Sequence, residues 1–403
     1  MRFWGITGTN GKTTTTWIAA AFINAASGRK CGYVTTVEVN TGTRRFYTGY
    51  TTPPLAQLKE IFAEMEANGC TDCVMEVSSH AIHQHRTGDT VFSGGVFTNL
   101  SEDHLDYHKT MEAYFDVKLD FARQIAAAHK TRPDMGRKDL PPYVVCLDGG
   151  YGREMFNAVG NLAVNVIATS NGTHGTDETH ETTPAYDLSE FKLVGDYNKS
   201  NVLCAAALAE AAGVSHAVIQ EVIPTLKPRW GRLELVENPL VKAKVYVDFA
   251  HTPDGLEKVL SAVRGTMTSN LQPPTSNLQP PTSNLQPSLW VVFGAGGDRD
   301  PMKRPLMGAA CAKAADKLVV TSDNPRSEDP LKIIDAILAG IDGSRRQSTT
   351  VEPDRKKAIE IALRGAREGD VVVVAGKGHE TTQEIKGEKH PFDDREVVRT
   401  FCP

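Results

Sequence analysis

The chain has 403 residues, with 44 Lys plus Arg against 49 Asp plus Glu and a formal charge of -5. At roughly 150 residues per domain this length holds two or three globular domains, and without a dense Lys/Arg stripe it excludes a surface built to neutralise a nucleic-acid backbone. The longest apolar runs, such as Val371 to Ala375, fall far short of the ~18 residues of a membrane span; with no signal-peptide core at the start, the chain is expected to be soluble and cytoplasmic, without membrane insertion.

In chain order, Arg2 to Thr7 reads as a strand and leads into a Gly-rich turn, Thr7-Gly8-Thr9-Asn10-Gly11-Lys12-Thr13, followed by a helix from Thr14 to about Ala26. Strand-like runs at Cys73–Val77, Gly95–Asn99 and Tyr143–Leu147 alternate with helical patterns at Leu55–Asn68 and Met111–Ala128. The polar stretch Asn171–Thr183 reads as a surface loop, the Ala-rich stretch Asn198–Ala211 as a helix, and Pro224–Pro228 as the end of a first domain, residues 1–228. The alternation then restarts over residues 229–403. Strands are expected at Val245–Phe249, Leu289–Phe293, Lys317–Thr321 and Asp370–Ala375, and helices at Asp254–Arg264, Pro305–Ala315, Pro330–Ile341 and Arg355–Ala366. Both halves are therefore α/β with mostly parallel sheets, the second Rossmann-like. TSNLQPP occurs at Thr268 and Thr275 and, without its last Pro, at Thr282. This uncharged Pro-rich stretch, residues 268–287, reads as a solvated loop expansion. The seven cysteines are odd in number and scattered, which suits free thiols. Cys70 and Cys73 have redox or zinc spacing but no second pair, and read as core or strand-edge thiols.

Gly8 to Thr13 has the chemistry of a phosphate loop. Glycines let backbone N–H groups converge on phosphate oxygens, Lys12 brings positive charge, and Thr13 offers a hydroxyl to Mg²⁺. Ile6 stands where the strict pattern has its first glycine, yet the turn follows a strand and opens a helix, as the motif requires.

The variant Thr7-Gly8-Thr9-Asn10-Gly11-Lys12-Thr13-Thr14 resembles the Mur ligase family, ATP-dependent amide-forming enzymes. Further matches follow in the family's order: Thr51-Thr52-Pro53, Glu76-Val77-Ser78-Ser79-His80, Gln84-His85-Arg86, Asp103-His104-Leu105-Asp106-Tyr107-His108 and Lys118. Gly231-Arg232-Leu233-Glu234, Asp248-Phe249-Ala250-His251, Gly296-Gly297-Asp298-Arg299-Asp300, Asp323-Asn324-Pro325-Arg326 and Gly376-Lys377-Gly378-His379-Glu380 continue them. The resemblance implies a P-loop ATPase domain followed by a Rossmann-like domain. It also implies a ligase that uses ATP and Mg²⁺ to add meso-diaminopimelate to UDP-N-acetylmuramoyl-L-alanyl-D-glutamate through an acyl phosphate, in peptidoglycan precursor synthesis.

By that resemblance Thr9, Asn10, Gly11, Lys12, Thr13 and Thr14 hold the ATP phosphates, and Asn201, Arg232 and Asp248 contact the nucleotide. Thr13, Glu76, His104 and a carbamylated Lys118 hold the metal. Thr51, Thr52, Ser78, Gln84 and Arg86 hold the muramoyl dipeptide, whose carboxylates suit an Arg fork with short hydroxyl and amide donors. Arg299, Asp323, Asn324, Arg326, Gly376 and Glu380 take diaminopimelate, whose distal carboxylate distinguishes it from lysine and calls for a bidentate cation. By themselves, His104 reads as a capping or surface histidine, Lys118 as a solvated lysine on an amphipathic helix, and Asn-Pro-Arg as a turn before a helix. His251 is as well suited to a structural turn as to a nucleotide contact.

Members of the family carry a further domain ahead of the phosphate loop that grips the uridine diphosphate. Its absence leaves three readings open: a start assigned too late, a separately encoded UDP-binding domain, or a shortened enzyme with another carrier. Two other functions also remain open, a folylpolyglutamate-synthase-like ligase with another acceptor and a non-catalytic, decayed ATP-binding relative.

Overall fold

The structure is a computed structural model that describes residues 1–129, 140–170, 173–176, 181–182, 186–269 and 286–403. The chain divides into two units, Met1–Lys227 and Pro228–Pro403.

In the first unit the strands are β1 (Arg2–Thr7), β2 (Cys31–Val34), β3 (Val39–Asn40), β4 (Arg45–Phe46), β5 (Asp72–Glu76), β6 (Phe92–Phe97), β7 (Pro142–Cys146), β8 (Asn165–Ser170), β9 (Thr173–Thr176) and β10 (Glu181–Thr182). They form one sheet in the order β10-β9-β8-β7-β6-β1-β5-β2-β3-β4. Strand β1 lies at its centre, parallel to β5 and β6, and buries Trp4 and Ile6. Parallel strands buried on both faces read as continuous apolar runs, which is why β1, β5 and β7 could be expected within a residue of their observed bounds. The helix after β1 begins at Lys12, two residues earlier than expected, because Gly11 at φ 83° supplies the left-handed turn that starts it. Just inside its start, Thr13 to Thr16 are all buried. Helix Met111–Ala128 runs over its expected span, with the Thr110 side chain accepting from Ala113 N. Phe121 and Ile125 of this helix pack with Phe92, Phe97 and Tyr143 of the sheet.

The stretch expected as a surface loop, Asn171–Thr183, departs from that reading. Within it β9 pairs antiparallel with both β8 and β10, so the described parts extend the sheet edge. The stretch contains no apolar side chain, and an edge ribbon of this kind leaves no hydrophobic period to find. Its remaining residues, Asn171, Gly172, Asp177–His180 and Thr183, lie outside the described ones.

The second unit contains β11 (Glu234–Val236), β12 (Lys244–Asp248), β13 (Leu289–Phe293), β14 (Lys317–Val320), β15 (Thr350–Val351) and β16 (Val371–Ala375) in the order β11-β12-β16-β13-β14-β15. All neighbours are parallel except β11 and β12. Strand β16 sits centrally with all five residues buried. Helices Pro330–Leu338 and Arg355–Gly365 are each opened by an aspartate cap, Asp329 and Asp354. The helix expected from Pro305 begins at Lys303, since proline is tolerated in a first turn. A separate hairpin, β17 (Thr382–Ile385) and β18 (Glu388–Pro391), follows β16. Of the repeat region, Thr268 and Ser269 end helix Pro253–Ser269, and residues 270–285 lie outside the described ones. All seven cysteines are free, and Cys70 and Cys73 are buried with thiols pushed up by burial, as core positions require.

Candidate functional site

In the first unit the phosphate loop leaves the carboxyl end of β1, where ligand sites form in parallel sheets. It is held from the neighbouring strand end: Thr9 N donates to Asn99 O at 2.9 Å, Asn10 N to Asn99 Oδ1 at 2.9 Å, and Thr98 Oγ1 to Asn10 O at 2.7 Å. Glycine is obligatory at two points. A Cβ on Gly8 would lie 1.9 Å from Thr98 Oγ1, and one on Gly11 would lie 2.3 Å from Asn201 Oδ1. Asn201, from helix Asp196–Ala211, is thereby placed against the loop, and Thr15 Oγ1 donates to its Oδ1 at 3.3 Å. Lys12 Nζ folds over the turn, donating to Gly8 O at 2.9 Å and Thr9 O at 2.8 Å.

Glu76 ends β5 beside this loop, with 1% exposure. Its Oε1 accepts from Thr13 Oγ1 at 2.7 Å, and its backbone carbonyl accepts from Thr52 Oγ1 at 2.8 Å. Thr36, which sequence reasoning missed, links these groups. Its N–H donates to Glu76 Oε1 at 2.9 Å, and its hydroxyl lies 3.1 Å from Glu76 Oε2 and 3.0 Å from Thr51 Oγ1. A Thr-Thr pair, Thr35-Thr36, after a short strand carries no signal that would have marked it.

His104 adopts φ 56°, a conformation rare outside glycine, and starts the short helix Leu105–His108. Its ring meets His80 edge-on at 4.9 Å, and its Nε2 lies 3.4 Å from Asp103 Oδ2. Burial of much of the ring holds its pKa well below the ordinary range against the pull of Asp103, with His80, Lys12 and Lys118 adding to the depression. The imidazole is therefore neutral at pH 7, the form that can ligate a metal. Lys118 is 1% exposed, with Nζ 4.7 Å from the centre of the Tyr114 ring. Burial, reinforced by Lys12, pushes its pKa well below the usual lysine value. The solvated-lysine alternative is thus ruled out by the fold.

Further along, Arg86 Nη1 donates to Thr52 O at 3.2 Å and Arg86 Nε to Gln84 Oε1 at 2.9 Å. Gln84 Nε2 donates to the Tyr107 hydroxyl at 3.2 Å, and Ser78 Oγ caps its own helix at Ala81 N. Thr51, Thr52, Ser78, Gln84 and Arg86 thus line one connected edge next to Glu76. Among the described residues no three His, Cys, Asp or Glu converge as a ready metal cluster. The predicted metal set instead combines one carboxylate, one hydroxyl, one imidazole and Lys118.

In the second unit Asp248 ends β12, buried, and accepts from Leu233 N at 2.6 Å and Ala250 N at 2.7 Å. Burial raises its pKa, with Arg232 and these N–H groups opposing the rise. Arg232 lies over the Phe249 ring with Cζ 4.5 Å from its centre. Asp248 therefore fixes the loop that presents Arg232. His251 Nδ1 lies 2.8 Å from Phe249 O, a turn contact.

At the carboxyl ends of β14 and β16 a second cluster forms. Asn324 Nδ2 donates to Glu380 Oε2 at 2.8 Å, and a Cβ on Gly376, at φ 116°, would lie 2.5 Å from Asp323 Oδ2. Arg326, in the left-handed region at φ 50°, donates from Nη1 to Gly297 O at 2.6 Å and pairs with Glu384 at 3.4 Å. A Cβ on Gly296 would lie 2.9 Å from Arg326 Nη1 and 3.7 Å from Arg299 Cγ, so the two arginines flank one spot. Arg299 is exposed; Asp323 and Asn324 are buried. The six residues expected to take the amino acid are thus neighbours in the fold.

A phosphate loop with an acidic residue at its threonine, on a parallel sheet, followed by a second parallel α/β unit, defines a P-loop nucleotide-dependent enzyme of two α/β units. Residues 6–209 match the Mur ligase middle domain, and residues 278–378 match the Mur ligase glutamate ligase domain. The chain is 39% identical over 98% of its length to the UDP-N-acetylmuramoyl-L-alanyl-D-glutamate--2,6-diaminopimelate ligase of Geobacillus kaustophilus, and spans 77% of that protein. A solved structure of a ligase of the same name is similar at TM-score 0.57 and 31% identity, covering 99% of this chain and 77% of that one. A folylpolyglutamate synthase/dihydrofolate synthase from Yersinia pestis, solved with AMPPNP and Mn ion, shares the fold at TM-score 0.63 and 16% identity, covering 94% of this chain and 86% of that one. The chain belongs to the Mur ligase family. No helix among the described residues is long and apolar enough to cross a membrane.

Proposed function

We propose that the chain is a cytoplasmic ATP-dependent ligase that joins meso-diaminopimelate to UDP-N-acetylmuramoyl-L-alanyl-D-glutamate in peptidoglycan precursor synthesis. The name of the relative that is 39% identical over 98% of the chain supports the reaction. The structural observation that carries it is the Glu76–Thr13 contact at 2.7 Å, which brings a buried carboxylate to the phosphate-loop hydroxyl. Oxygen ligands of this kind suit Mg²⁺, so Thr13, Glu76, His104 and carbamylated Lys118 would hold the ion. When bound, it offsets charge on the transferring phosphoryl group.

The chain's own residues do the rest. Thr9, Asn10, Gly11, Lys12, Thr13 and Thr14 cradle the phosphates, and Asn201, Arg232 and Asp248 serve the nucleotide. Thr51, Thr52, Ser78, Gln84 and Arg86 hold the muramoyl dipeptide so that a carboxylate oxygen of D-Glu meets the γ-phosphorus of ATP. That oxygen forms the new P–O bond as ADP leaves, giving an acyl phosphate. The amine of diaminopimelate, held by Arg299, Asp323, Asn324, Arg326, Gly376 and Glu380, then attacks the acyl carbon, releasing phosphate and a proton. Lys118 suits carbamylation because a neutral amine is the form that adds to CO₂, with loss of one proton to give the carbamate anion.

The test is ATP- and diaminopimelate-dependent phosphate release with the muramoyl dipeptide substrate. Lys12→Ala is expected to abolish it, and Arg326→Ala to weaken chiefly the use of diaminopimelate. No stimulation by diaminopimelate, or parental activity in either variant, overturns the assignment. A preference for glutamate in an amino-acid screen points instead to a folate-type ligase.

A further inference from the structure

Lys377 has no part in the roles above, yet it lies under the amino-acid cluster with its side chain wholly buried, at 0% exposure. Gly376 and Gly378, at φ 116° and 54°, flank it, and both approach neighbours too closely for a Cβ: Asp323 Oδ2 at 2.5 Å and Phe249 Cβ at 2.7 Å. The loop is thereby pressed against the site and the lysine is driven inward. Its Nζ donates to Glu380 Oε2 at 2.8 Å and Asn324 Oδ1 at 3.0 Å, and lies 4.0 Å from Asp323 Oδ1.

An ammonium has only donors, and so has the Glu384 N–H, 3.0 Å from the same Asn324 oxygen. Two donors on one side oblige the amide oxygen to face them and turn its nitrogen toward Glu380. Glu380 Oε2 then receives both Lys377 Nζ and Asn324 Nδ2, at 2.8 Å each, so the carboxylate's remaining acceptor capacity is centred on Oε1. Of the other nearby cations, Arg355 is hydrogen-bonded to Asp394 and reaches Asp323 and Glu380 only through its charge, and Arg326 is paired with Glu384. Lys377 alone bridges Asn324 and Glu380 among the described hydrogen bonds.

We propose that Lys377 is the positioning residue of the amino-acid site: it sets Asn324 and Glu380 in the one arrangement that offers an amide N–H and a carboxylate oxygen to the carboxylate and ammonium of the incoming diamino acid. This rests on the functional reading above. Without the ammonium, the Asn324 amide keeps one anchoring donor and can turn over, and Glu380 and Asp323 lose the cation that lies 2.8 and 4.0 Å from them, leaving Arg355 as the positive charge that still acts on both.

The experiment compares the parent chain, Lys377→Met, Glu380→Gln and the double variant, measuring kcat and KM for diaminopimelate and for ATP. Lys377→Met is expected to raise the diaminopimelate KM about 10- to 100-fold, with the ATP KM within about twofold and kcat within about threefold. In the Glu380→Gln background the same change is expected to shrink below about threefold, because the lysine acts through that carboxylate. An unchanged diaminopimelate KM, equal penalties in both backgrounds, or a parallel rise in the ATP KM overturns the proposal. If Lys377→Met does not fold, Lys377→Leu, which likewise removes every donor, is judged by the same criteria; failure of both to fold makes Lys377 a folding residue and overturns it. A parent chain that releases no phosphate with diaminopimelate fails the functional reading instead. The comparison is then made with the amino acid that does support release, and if none does, both fall.

Discussion

Replacing Arg355 by methionine tests how the second unit holds the two strand ends that carry the amino-acid cluster. Arg355 and Asp394 are both fully buried and form a two-pronged pair, Nε to Oδ1 at 2.8 Å and Nη2 to Oδ2 at 2.8 Å. The guanidinium also donates to Ser322 O at 3.3 Å and Ala375 O at 2.9 Å, the residues just before Asp323 and Gly376. Methionine fills similar space but leaves the Asp394 carboxylate buried without its cation, a change that costs about 3–5 kcal/mol. For a unit of this size, at about 2–4 °C per kcal/mol, the melting temperature of Pro228–Pro403 within the full chain should fall by roughly 6–20 °C. Removing the charge as well, in Arg355→Met/Asp394→Leu, should recover at least about 2 kcal/mol of that loss, because no uncompensated ion remains. Thermal and urea unfolding of the three proteins measures both quantities. A single variant within about 1 kcal/mol of the parent, or a double variant less stable than the single one, would refute the reasoning.

Lys118→Met should remove turnover, and ¹³C-bicarbonate should give the parent one carbamate carbon resonance that this variant lacks; a variant that keeps the resonance sinks the carbamate assignment. Thr36→Val loses the hydroxyl contacts to Glu76 and Thr51 at 3.1 and 3.0 Å, worth about 1 kcal/mol. Roughly fivefold more Mg²⁺ should then be needed for half-maximal rate, and an unaltered Mg²⁺ titration would count against that link. Burial first, then Arg232, Arg395, Lys377 and His251, holds the His379 pKa down to about 3. Between an unfolded value near 6.5 and that midpoint the unfolded chain binds a proton that the folded one does not, so stability falls as pH drops, by about 1.4 kcal/mol per unit for this residue. His379→Asn should flatten the slope of unfolding free energy between pH 6 and 5 by up to that amount; identical slopes would contradict the burial argument.

The parts of the fold that were legible are those whose burial is apolar. Val371–Ala375 announces a central strand because all its residues are hydrophobic, and β1 with its glycine turn announces the phosphate loop. The hairpin Thr382–Pro391 was not legible: its strand β18 is exposed throughout and β17 is only partly covered, so neither has an apolar face to show a period of two. The same limit applies within the site. Roles for Glu76, His104 and Arg326 came from family motifs, and the fold then set them at strand ends or in left-handed turns. Arg355 and Lys377 are buried, and Thr36 half-buried, polar groups that look like ordinary surface residues in a sequence, since only the fold reveals how far water is excluded and brings in partners from far along the chain, Asp394 for Arg355, Asn324 for Lys377 and Glu76 for Thr36.

The helix that opens the phosphate loop draws little of its stability from its own composition. Four consecutive threonines are poor helix formers, restricted at χ1 and able to compete for backbone hydrogen bonds. Here Thr13 spends its hydroxyl on Glu76 and Thr15 on Asn201, so two of these side chains are turned away from their own backbone by partners on a strand and on another helix. The phosphate-binding end is therefore conditional on the rest of the unit. Excised with β1 as a peptide, it should be largely unfolded, and transplanted into another α/β protein it would need an acid and an asparagine in the corresponding places. With the roles proposed above, nucleotide binding in this chain would report on the assembly of three separate stretches of sequence, and a lesion in any one of them is expected to register as a loss of ATP affinity.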